Sequence, residues 1–280
     1  MDAKLVRRTA GEVRSVWRNA CPGAAARWVA SLAAHLPECV RSRSLVPADR
    51  TWAHTGARFR TPSGAVVSLP AAYTAGAREM YCRNVYLRTG LRMPAKGWVV
   101  DLGANSGLFA VWAAVTGAQV IAVEAQQNFA DKIRDLAEHN GVADRIDVEI
   151  ALASGVASSG ACVGVVADDL RWAATSHGGS ARPADISMPE LISTYRIDRV
   201  GLLKVDIEGG EFAVLADTED LGWLQGVDQL ALELHRGFGD TAALIERLRR
   251  HGFAIDLRDN DGRHTASASD HPDYAYCRRL

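Results

Sequence analysis

The stretch Asp101-Leu-Gly-Ala-Asn-Ser-Gly107 has the residue types of a ligand-binding turn between a strand and a helix. Gly103 and Gly107 permit a tight turn and let a ligand approach the backbone closely. Glu124 ends the next apolar run, about 20 residues further on, where an acidic side chain can accept both ribose hydroxyls of an adenosine cofactor. These two features together predict an adenosine-cofactor site.

The residues of this turn distinguish between two kinds of adenosine cofactor. A dinucleotide fingerprint would have glycine where this sequence has Asn105 and Leu108. A pyrophosphate needs bare backbone, whereas Asp101 adds a negative charge that suits an amino group or a sulfonium. The turn therefore favours S-adenosyl-L-methionine, which carries both cations. We expect the cofactor to contact Asp101, Gly103, Ala104, Asn105, Ser106, Gly107, Glu124, Ala125 and Asp206.

Charged side chains follow two later apolar runs, VGLLKVD and LALELH. Alternate residues of a strand face the same way, so Lys204 shares a face with Asp206, and Glu233 shares a face with His235. Ligands of open α/β sheets bind beyond the carboxyl ends of the strands. We therefore expect Asp206, Glu208 and His235 to gather at that edge as the catalytic residues.

If the methyl group of such a cofactor passes to a hydroxyl, a side chain has to remove or orient the hydroxyl proton. His235, expected to titrate near neutral pH, is the predicted general base, and Asp206 is its orienting partner. Lys204 and Glu233 either contact the substrate or pair with each other. An alternative is that Asp206, Glu208, Glu233 and His235 hold a divalent cation, since oxygen ligands suit magnesium. We predict a site without a metal.

The motifs DLGANSG, VEA, LLKVDIEGGEFAVL and LELH together resemble the FkbM family of S-adenosylmethionine-dependent methyltransferases over residues 97–257. The resemblance implies a class I methyltransferase fold, which is α/β and Rossmann-like, with a seven-stranded sheet in the order 3-2-1-4-5-7-6. It also implies O-methylation of a sugar, nucleoside or natural-product scaffold. The sequence departs from the family pattern at Ala125-Gln126-Gln127, where a proline is usual, and at Ser187-Met188-Pro189, where an aspartate is usual.

Apolar spacing predicts an N-terminal helical cap and hairpin over residues 1–70, and a Rossmann-like methyltransferase domain over residues 71–280. Trp17 and Trp28 are expected to face inward in the cap, and a helix is expected near residues 77–88. From residue 97 onward, strands alternate with helices, which predicts βαβ units and a parallel sheet. The expected strands are 98–102, 119–123, 146–151, 201–205 and 229–234, with a closing antiparallel pair at 253–257 and 274–278; the expected helices are 108–115, 129–140, 210–217 and 241–250.

Residues 154–189 interrupt this alternation with Gly, Ser and Ala clusters, which indicate an irregular segment beside the site. Trp172 and His177 lie within it and are candidate substrate contacts, Trp172 by stacking on a flat or sugar-like acceptor. The alternative for Trp172 is that it covers the core.

Charge is unevenly distributed along the chain. Residues 1–90 hold 14 Lys and Arg against 5 Asp and Glu, which leaves a net charge of −10 for the remainder. The basic segment either docks on an acidic surface, its own or that of a second copy in a homodimer, or attracts an anionic or nucleotide-linked small-molecule acceptor. Nucleic acid is disfavoured because aromatic residues are not interleaved with the basic ones.

The composition is that of an ordinary globular protein, with 48% apolar and 23% charged residues. No apolar run approaches the roughly 20 residues that span a bilayer, so a membrane location is excluded and the cytoplasm is expected. The five scattered cysteines form no CxxC pair, which argues against a zinc site.

Two other functions compete with methyl transfer. A nicotinamide-dependent oxidoreductase would need glycine at position 105 and a proton-donor motif. A non-catalytic S-adenosylmethionine-binding protein would have no need for titratable groups such as Asp206 and His235 beside the methyl group.

Overall fold

The computed structural model describes residues 3–154, 184–216 and 220–280. These residues form two compact units. The first runs to Val85 and includes Glu138–Gly141, and the second comprises Tyr86–Ala137 and Val142–Leu280. Within the described chain, no helix combines the length and the apolar content that a membrane span requires.

The first unit consists of helices and one hairpin. Its hairpin pairs antiparallel, with Ala57 opposite Leu69, as the turn chemistry of Thr61 to Gly64 predicts. The helix expected near residues 77–88 is present but shorter: it is a π-helix, Arg78–Arg83, and it ends at Asn84, which has a left-handed backbone. The remaining elements are α1 Ala3–Asn19, α2 Pro22–Ala34, α3 Leu36–Ser42, α4 Val46–Thr55, β1 Ala57–Arg60 and β2 Val66–Leu69.

Aromatic rings form the centre of the first unit. The ring of Trp52 meets the edge of Phe59 at 5.1 Å between centroids, and Phe59 stacks on Tyr81 at 4.9 Å. Trp28, predicted to face inward, is fully buried and lies 6.2 Å from Trp52. Offset and edge-to-face contacts of this kind stabilise a core beyond the area they bury.

Helix α1 buries a face that carries an acid. Glu12 and Val16 lie on this face, and Arg78 donates to Glu12 at 2.9 Å and to Asp49 at 2.9 Å. Successive helical residues are rotated by about 100°, so the neighbour of Val16 points away from this face. Trp17 is accordingly 52% exposed, and its predicted inward position is wrong.

Eight strands of the described chain form one sheet in the second unit, in the order β6-β5-β4-β3-β7-β8-β10-β9. β10 runs antiparallel between β8 and β9, and the other pairings are parallel. The expected class I order is confirmed, with one additional parallel strand, β6, at the edge. The strands are β3 Trp98–Leu102, β4 Gln119–Glu124, β5 Ile146–Ser154, β6 Ala184–Ser187, β7 Val200–Val205, β8 Gln229–Glu233, β9 Phe253–Arg258 and β10 Tyr274–Arg279.

Apolar patterning explains why the second unit adopts this arrangement. β3 is buried along its length, as expected of a parallel strand covered on both faces. The helix after it is apolar all round and almost wholly buried, whereas the helix after β4 is amphipathic. The helices are α5 Leu108–Thr116, α6 Gln127–His139, α7 Met188–Thr194, α8 Glu211–Val214 and α9 Thr241–Arg250.

The predicted irregular segment contains regular structure at its end. β6 pairs with β5, and α7 starts with a capping box in which Ser187 accepts from Glu190 N while Glu190 accepts from Ser187 N. This box, Ser-Met-Pro-Glu, is a visible sequence signal for a helix start. The candidate substrate contacts Trp172 and His177 lie outside the described residues.

Candidate active site

The turn from β3 to α5 packs directly against the end of β7. Gly103 has φ 77°, and a Cβ added there would lie 1.7 Å from the carbonyl oxygen of Asp206. The Asp206 N–H donates to Leu102 O at 3.1 Å. The glycine is therefore required first by the backbone of Asp206, whereas the sequence argument assigned it to the approach of a ligand. This contact fixes Asp206 beside the turn.

The N–H groups of the turn are already hydrogen-bonded within the protein. A pyrophosphate bound at a helix start takes its hydrogen bonds from such N–H groups. Because the five N–H groups from Gly103 to Gly107 all donate within the protein, the turn does not offer the donors that a dinucleotide needs. Gly103 N and Ala104 N donate to Val123 O, Asn105 N to Glu124 Oε2, Ser106 N to Asn105 Oδ1, and Gly107 N to Ala104 O.

Glu124 ends β4 and points its carboxylate at the turn. Its two oxygens accept from Asn105 N at 2.8 Å and from Gln126 N at 2.9 Å. Burial raises the pKa of Glu124, and these two hydrogen bonds offset part of that rise. A carboxylate oxygen accepts more than one hydrogen bond, so both oxygens can also take ribose hydroxyls. Ala125 follows Glu124 directly and is half-buried.

Lys204 neutralises Asp101 in the core. Its Nζ lies 2.9 Å from Asp101 Oδ1 and donates to Gly103 O at 2.9 Å. Burial alone would lower the pKa of Lys204, but Asp101 and Asp206 outweigh it and raise that pKa. The alternative in which Lys204 pairs with Glu233 is therefore replaced by a pair with Asp101. The negative charge that the sequence argument offered to the cofactor is balanced inside the protein.

Asp206 and Glu233 meet at a shared tyrosine. The Tyr86 hydroxyl oxygen lies 2.7 Å from Asp206 Oδ2 and 2.8 Å from Glu233 Oε2. Burial and the charge of Asp206 raise the pKa of Glu233 to about 7. Burial, followed by these two carboxylates, also raises the pKa of Tyr86. The hydroxyl thus joins the ends of two neighbouring strands.

His235 is held between three carboxylates. Its Nδ1 lies 2.8 Å from Glu211 Oε1, and its Nε2 lies 3.3 Å from Glu208 Oε2 and 3.9 Å from Asp206 Oδ1. Burial favours the neutral ring, but the hydrogen bonds to Glu208 and Glu211 outweigh it and raise the pKa of His235 to about 11. The expected titration near neutral pH is wrong, because the expectation did not include Glu211, which is fully buried.

Asp206, Glu208 and His235 also offer ligand atoms within 4.8 Å of one another, a spacing compatible with a divalent cation. Hydrogen bonds and opposite charges account for the same arrangement, since a protonated His235 supplies the positive charge that the carboxylates require. A chelation experiment can therefore distinguish a bound cation from a protonated His235.

A comparison with protein families decides the classification. The sequence model described as the methyltransferase FkbM domain matches residues 101–255. This chain belongs to the FkbM methyltransferase family. The match includes the cofactor turn, Glu124, the end of β7 and the end of β8, so the resemblance expected from the motifs is confirmed.

Two curated proteins and one solved structure illustrate what this FkbM-family methyltransferase is similar to. The 31-O-demethyl-FK506 methyltransferase FkbM of Streptomyces tacrolimicus is 27% identical over 231 residues, covering 70% of this chain and 88% of that protein. The AMB antimetabolite synthetase AmbE of Pseudomonas aeruginosa is 28% identical over 232 residues, covering 65% of this chain and 11% of that protein. Among solved structures, the METTL16 methyltransferase domain matches 83% of this chain and 79% of its own, with 12% identity and a TM-score of 0.46.

Sequence reasoning brought most of the FkbM-family site together but missed two members. Asp206, Glu208 and His235 gather as predicted, with Glu233 beside them. Glu211 had a signal, since it ends the LKVDIEGGE run, which is the most distinctive of the family motifs. Tyr86 had none, because it lies near the end of the stretch 77–88, over which a helix was expected.

Proposed function

We propose that this FkbM-family methyltransferase uses S-adenosyl-L-methionine to methylate a hydroxyl group of a small molecule, of the class of sugars, nucleosides or natural-product scaffolds. The observation that carries the proposal is the position of Asp206: its backbone contacts the cofactor turn, and its carboxylate lies among Tyr86, Lys204 and His235. A carboxylate beside the methyl donor can orient an acceptor hydroxyl and take up its proton.

The residues of the turn fit an adenosine cofactor that has no phosphate. Glu124 would accept the ribose hydroxyls, and Gly103, Ala104, Asn105, Ser106, Gly107 and Ala125 would line its path. The internally bonded N–H groups of the turn disfavour a pyrophosphate, which weakens the oxidoreductase alternative. When bound, the cofactor supplies an electrophilic methyl group on a sulfonium that is already a good leaving group.

The protein's remaining task is to position the acceptor and manage its proton. A histidine that is already protonated cannot accept this proton, so the role of base passes from His235 to Asp206. His235 would then orient Asp206 and Glu208 from its Nε2. The ammonium of Lys204 lies 3.6 Å from Asp206 Oδ2 and contributes a positive charge beside that carboxylate.

The choice of a hydroxyl acceptor has one further support. The relative from Streptomyces tacrolimicus is named for methylation of an O-demethyl compound, which is a methyl transfer to oxygen. We extend this chemistry to the present chain as part of the proposal. Trp172 and His177 remain expected substrate contacts, whereas Lys204 is buried against Asp101 and Glu233 is bonded to Tyr86.

The test is calorimetry followed by product analysis. The protein is titrated with S-adenosyl-L-homocysteine and, separately, with NADH, and is then incubated with S-adenosyl-L-methionine and a panel of sugars, nucleosides and phenols. We expect binding of the first ligand alone and a product one CH2 heavier than its acceptor. Binding of NADH would favour the oxidoreductase, and tight cofactor binding without transfer to any acceptor would favour the non-catalytic alternative.

A further inference from the structure

The Tyr86 hydroxyl has two short contacts and only one proton to donate. Its oxygen lies 2.7 Å from Asp206 Oδ2 and 2.8 Å from Glu233 Oε2, both ordinary O–H···O distances. A phenol carries a single hydrogen and can donate to only one carboxylate. The second contact is a hydrogen bond only when the other carboxyl is protonated and donates to the phenol oxygen. Two hydrogen bonds at this oxygen therefore require two protons, one on Tyr86 and one on a carboxyl group.

The surroundings identify which carboxyl carries the second proton. Asp206 lies 3.6 Å from the ammonium of Lys204 and 3.9 Å from the cationic ring of His235, so its negative charge is stabilised. Glu233 is half-buried, and its burial and the charge of Asp206 both favour its neutral form. The proton therefore belongs to Glu233.

We propose that Glu233 is a neutral carboxylic acid that donates to Tyr86, and that this turns the Tyr86 hydrogen toward Asp206, which alone keeps the negative charge. The proposal deepens the proposed function and rests on it for its catalytic consequence. Tyr86 and Glu233 are positioning residues in this arrangement, and Asp206 Oδ1 remains to receive the proton of the acceptor.

The protons and bonds of the step balance. The bound cofactor would give its methyl group to the acceptor oxygen as its carbon–sulfur bond broke, and Asp206 Oδ1 would take the hydroxyl proton and later release it to solvent. The protons of Tyr86 and Glu233 are not consumed. If Glu233 ionised, two carboxylates would face one phenol oxygen, and their repulsion would push Asp206 away from Tyr86.

The pH at which Glu233 ionises depends on every group that faces it. Burial and Asp206 oppose its ionisation, whereas a hydrogen bond donated by Tyr86, together with His235 and Lys204, would favour it. Tyr274 lies opposite Glu233 in the sheet register. Among the described residues, the groups that face Glu233 include Tyr86, Lys204, Asp206, His235, Tyr274 and Tyr276, with Arg88 one step further out beside Tyr276.

Thermal unfolding tests the proposal without any acceptor. In Glu233→Gln, the amide can donate to Tyr86 as the carboxylic acid does, but it cannot ionise. When folding raises the pKa of a carboxyl, the protein loses stability as the pH rises between the two pKa values. For Glu233 these are 4.5 in the unfolded chain and about 7 in the folded protein. We expect Glu233→Gln to unfold at a higher temperature than wild type above about pH 7, with a smaller difference near about pH 5. The matched control is Glu149→Gln, whose carboxylate accepts from Tyr195 away from the site.

Kinetics provide the second arm of the test. We expect the ratio of kcat at about pH 8.5 to kcat at about pH 6 to be larger in Glu233→Gln than in wild type. Tyr86→Phe should lower kcat by about tenfold while leaving the affinity for S-adenosyl-L-homocysteine nearly unchanged, because one hydrogen bond to a charged group is lost. Tyr195→Phe is its matched control and should leave both quantities unaltered.

Parallel unfolding curves for Glu233→Gln and wild type across this pH range would overturn the proposal, as would a lower midpoint for the variant at every pH. An unchanged kcat ratio in Glu233→Gln would also overturn it. A failure to find any methyl acceptor counts against the proposed function alone, since the unfolding arm still decides the protonation of Glu233.

Discussion

Replacement of Glu124 tests the cofactor assignment most sharply. Its carboxylate is buried and accepts two backbone hydrogen bonds, at 2.8 and 2.9 Å, so the side chain is fixed before any ligand arrives. Hydrogen bonds to a charged group contribute about 1.5–3 kcal/mol. Glu124→Ala should therefore weaken S-adenosyl-L-homocysteine binding by about 10- to 150-fold. Isothermal titration calorimetry measures this directly, because the product analogue is not turned over.

The same substitution should also affect stability. Glu124→Ala leaves the N–H groups of Asn105 and Gln126 without their buried acceptor, at a cost of about 1–3 kcal/mol for each group that water does not reach. Glu246→Ala on α9 is the control, since its side chain is 62% exposed. An affinity within twofold of wild type for a folded Glu124→Ala protein would refute the ribose role.

Three further predictions concern the turn, the histidine and the metal. Gly103→Ala should abolish S-adenosyl-L-homocysteine binding and lower the unfolding midpoint, because its Cβ would lie 1.7 Å from Asp206 O. The control is Gly97→Ala: Gly97 also has a positive φ, but a Cβ there would meet nothing within 4 Å, so the substitution should cost only about 1–2 kcal/mol of backbone strain. Equal effects of the two substitutions would contradict the contact with Asp206. The pKa of His235 is raised from 6.5 to about 11, so its contribution to stability is complete below about pH 6.5 and is lost as pH rises toward 11. His235→Gln should remove that slope from urea-unfolding free energies measured across the alkaline range, and identical slopes would refute the carboxylate cage. Activity should survive dialysis against EDTA; loss that magnesium restores would establish the cation alternative at Asp206, Glu208 and His235.

The sequence predicts the sheet well because buried parallel strands are continuous apolar runs. For that reason the sequence predicts four strands with nearly their observed bounds: β3, β4, β7 and β8. A charged residue or a turn marks the end of each of these runs. β6 and α7 are short, and a strand of four residues or a helix of seven has too few positions to establish a period. The Ser187 capping box was the available local signal for α7.

The electrostatics of the site could not be read from the sequence. The pKa of His235 depends on Glu211 and Glu208, and Glu208 itself has a backbone φ of 54°, in the left-handed region. Tyr86 precedes Asp206 by 120 residues and touches it only after the sheet has assembled. Periodicity identifies which residues are buried, but it does not identify the partner that a buried polar atom will find.

Transfer of an isotopically labelled methyl group tests the central claim most directly. The wild-type protein and Asp206→Asn are each incubated with S-adenosyl-L-methionine that carries the label in its methyl group, together with an acceptor found in the product screen, and the product is analysed by NMR. We predict a labelled methyl resonance bonded to oxygen for wild type, and a rate reduced by about 10²–10⁴-fold for Asp206→Asn, since an amide cannot accept the proton. A methyl group on nitrogen, carbon or sulfur, or an Asp206→Asn protein as fast as wild type, would contradict the account.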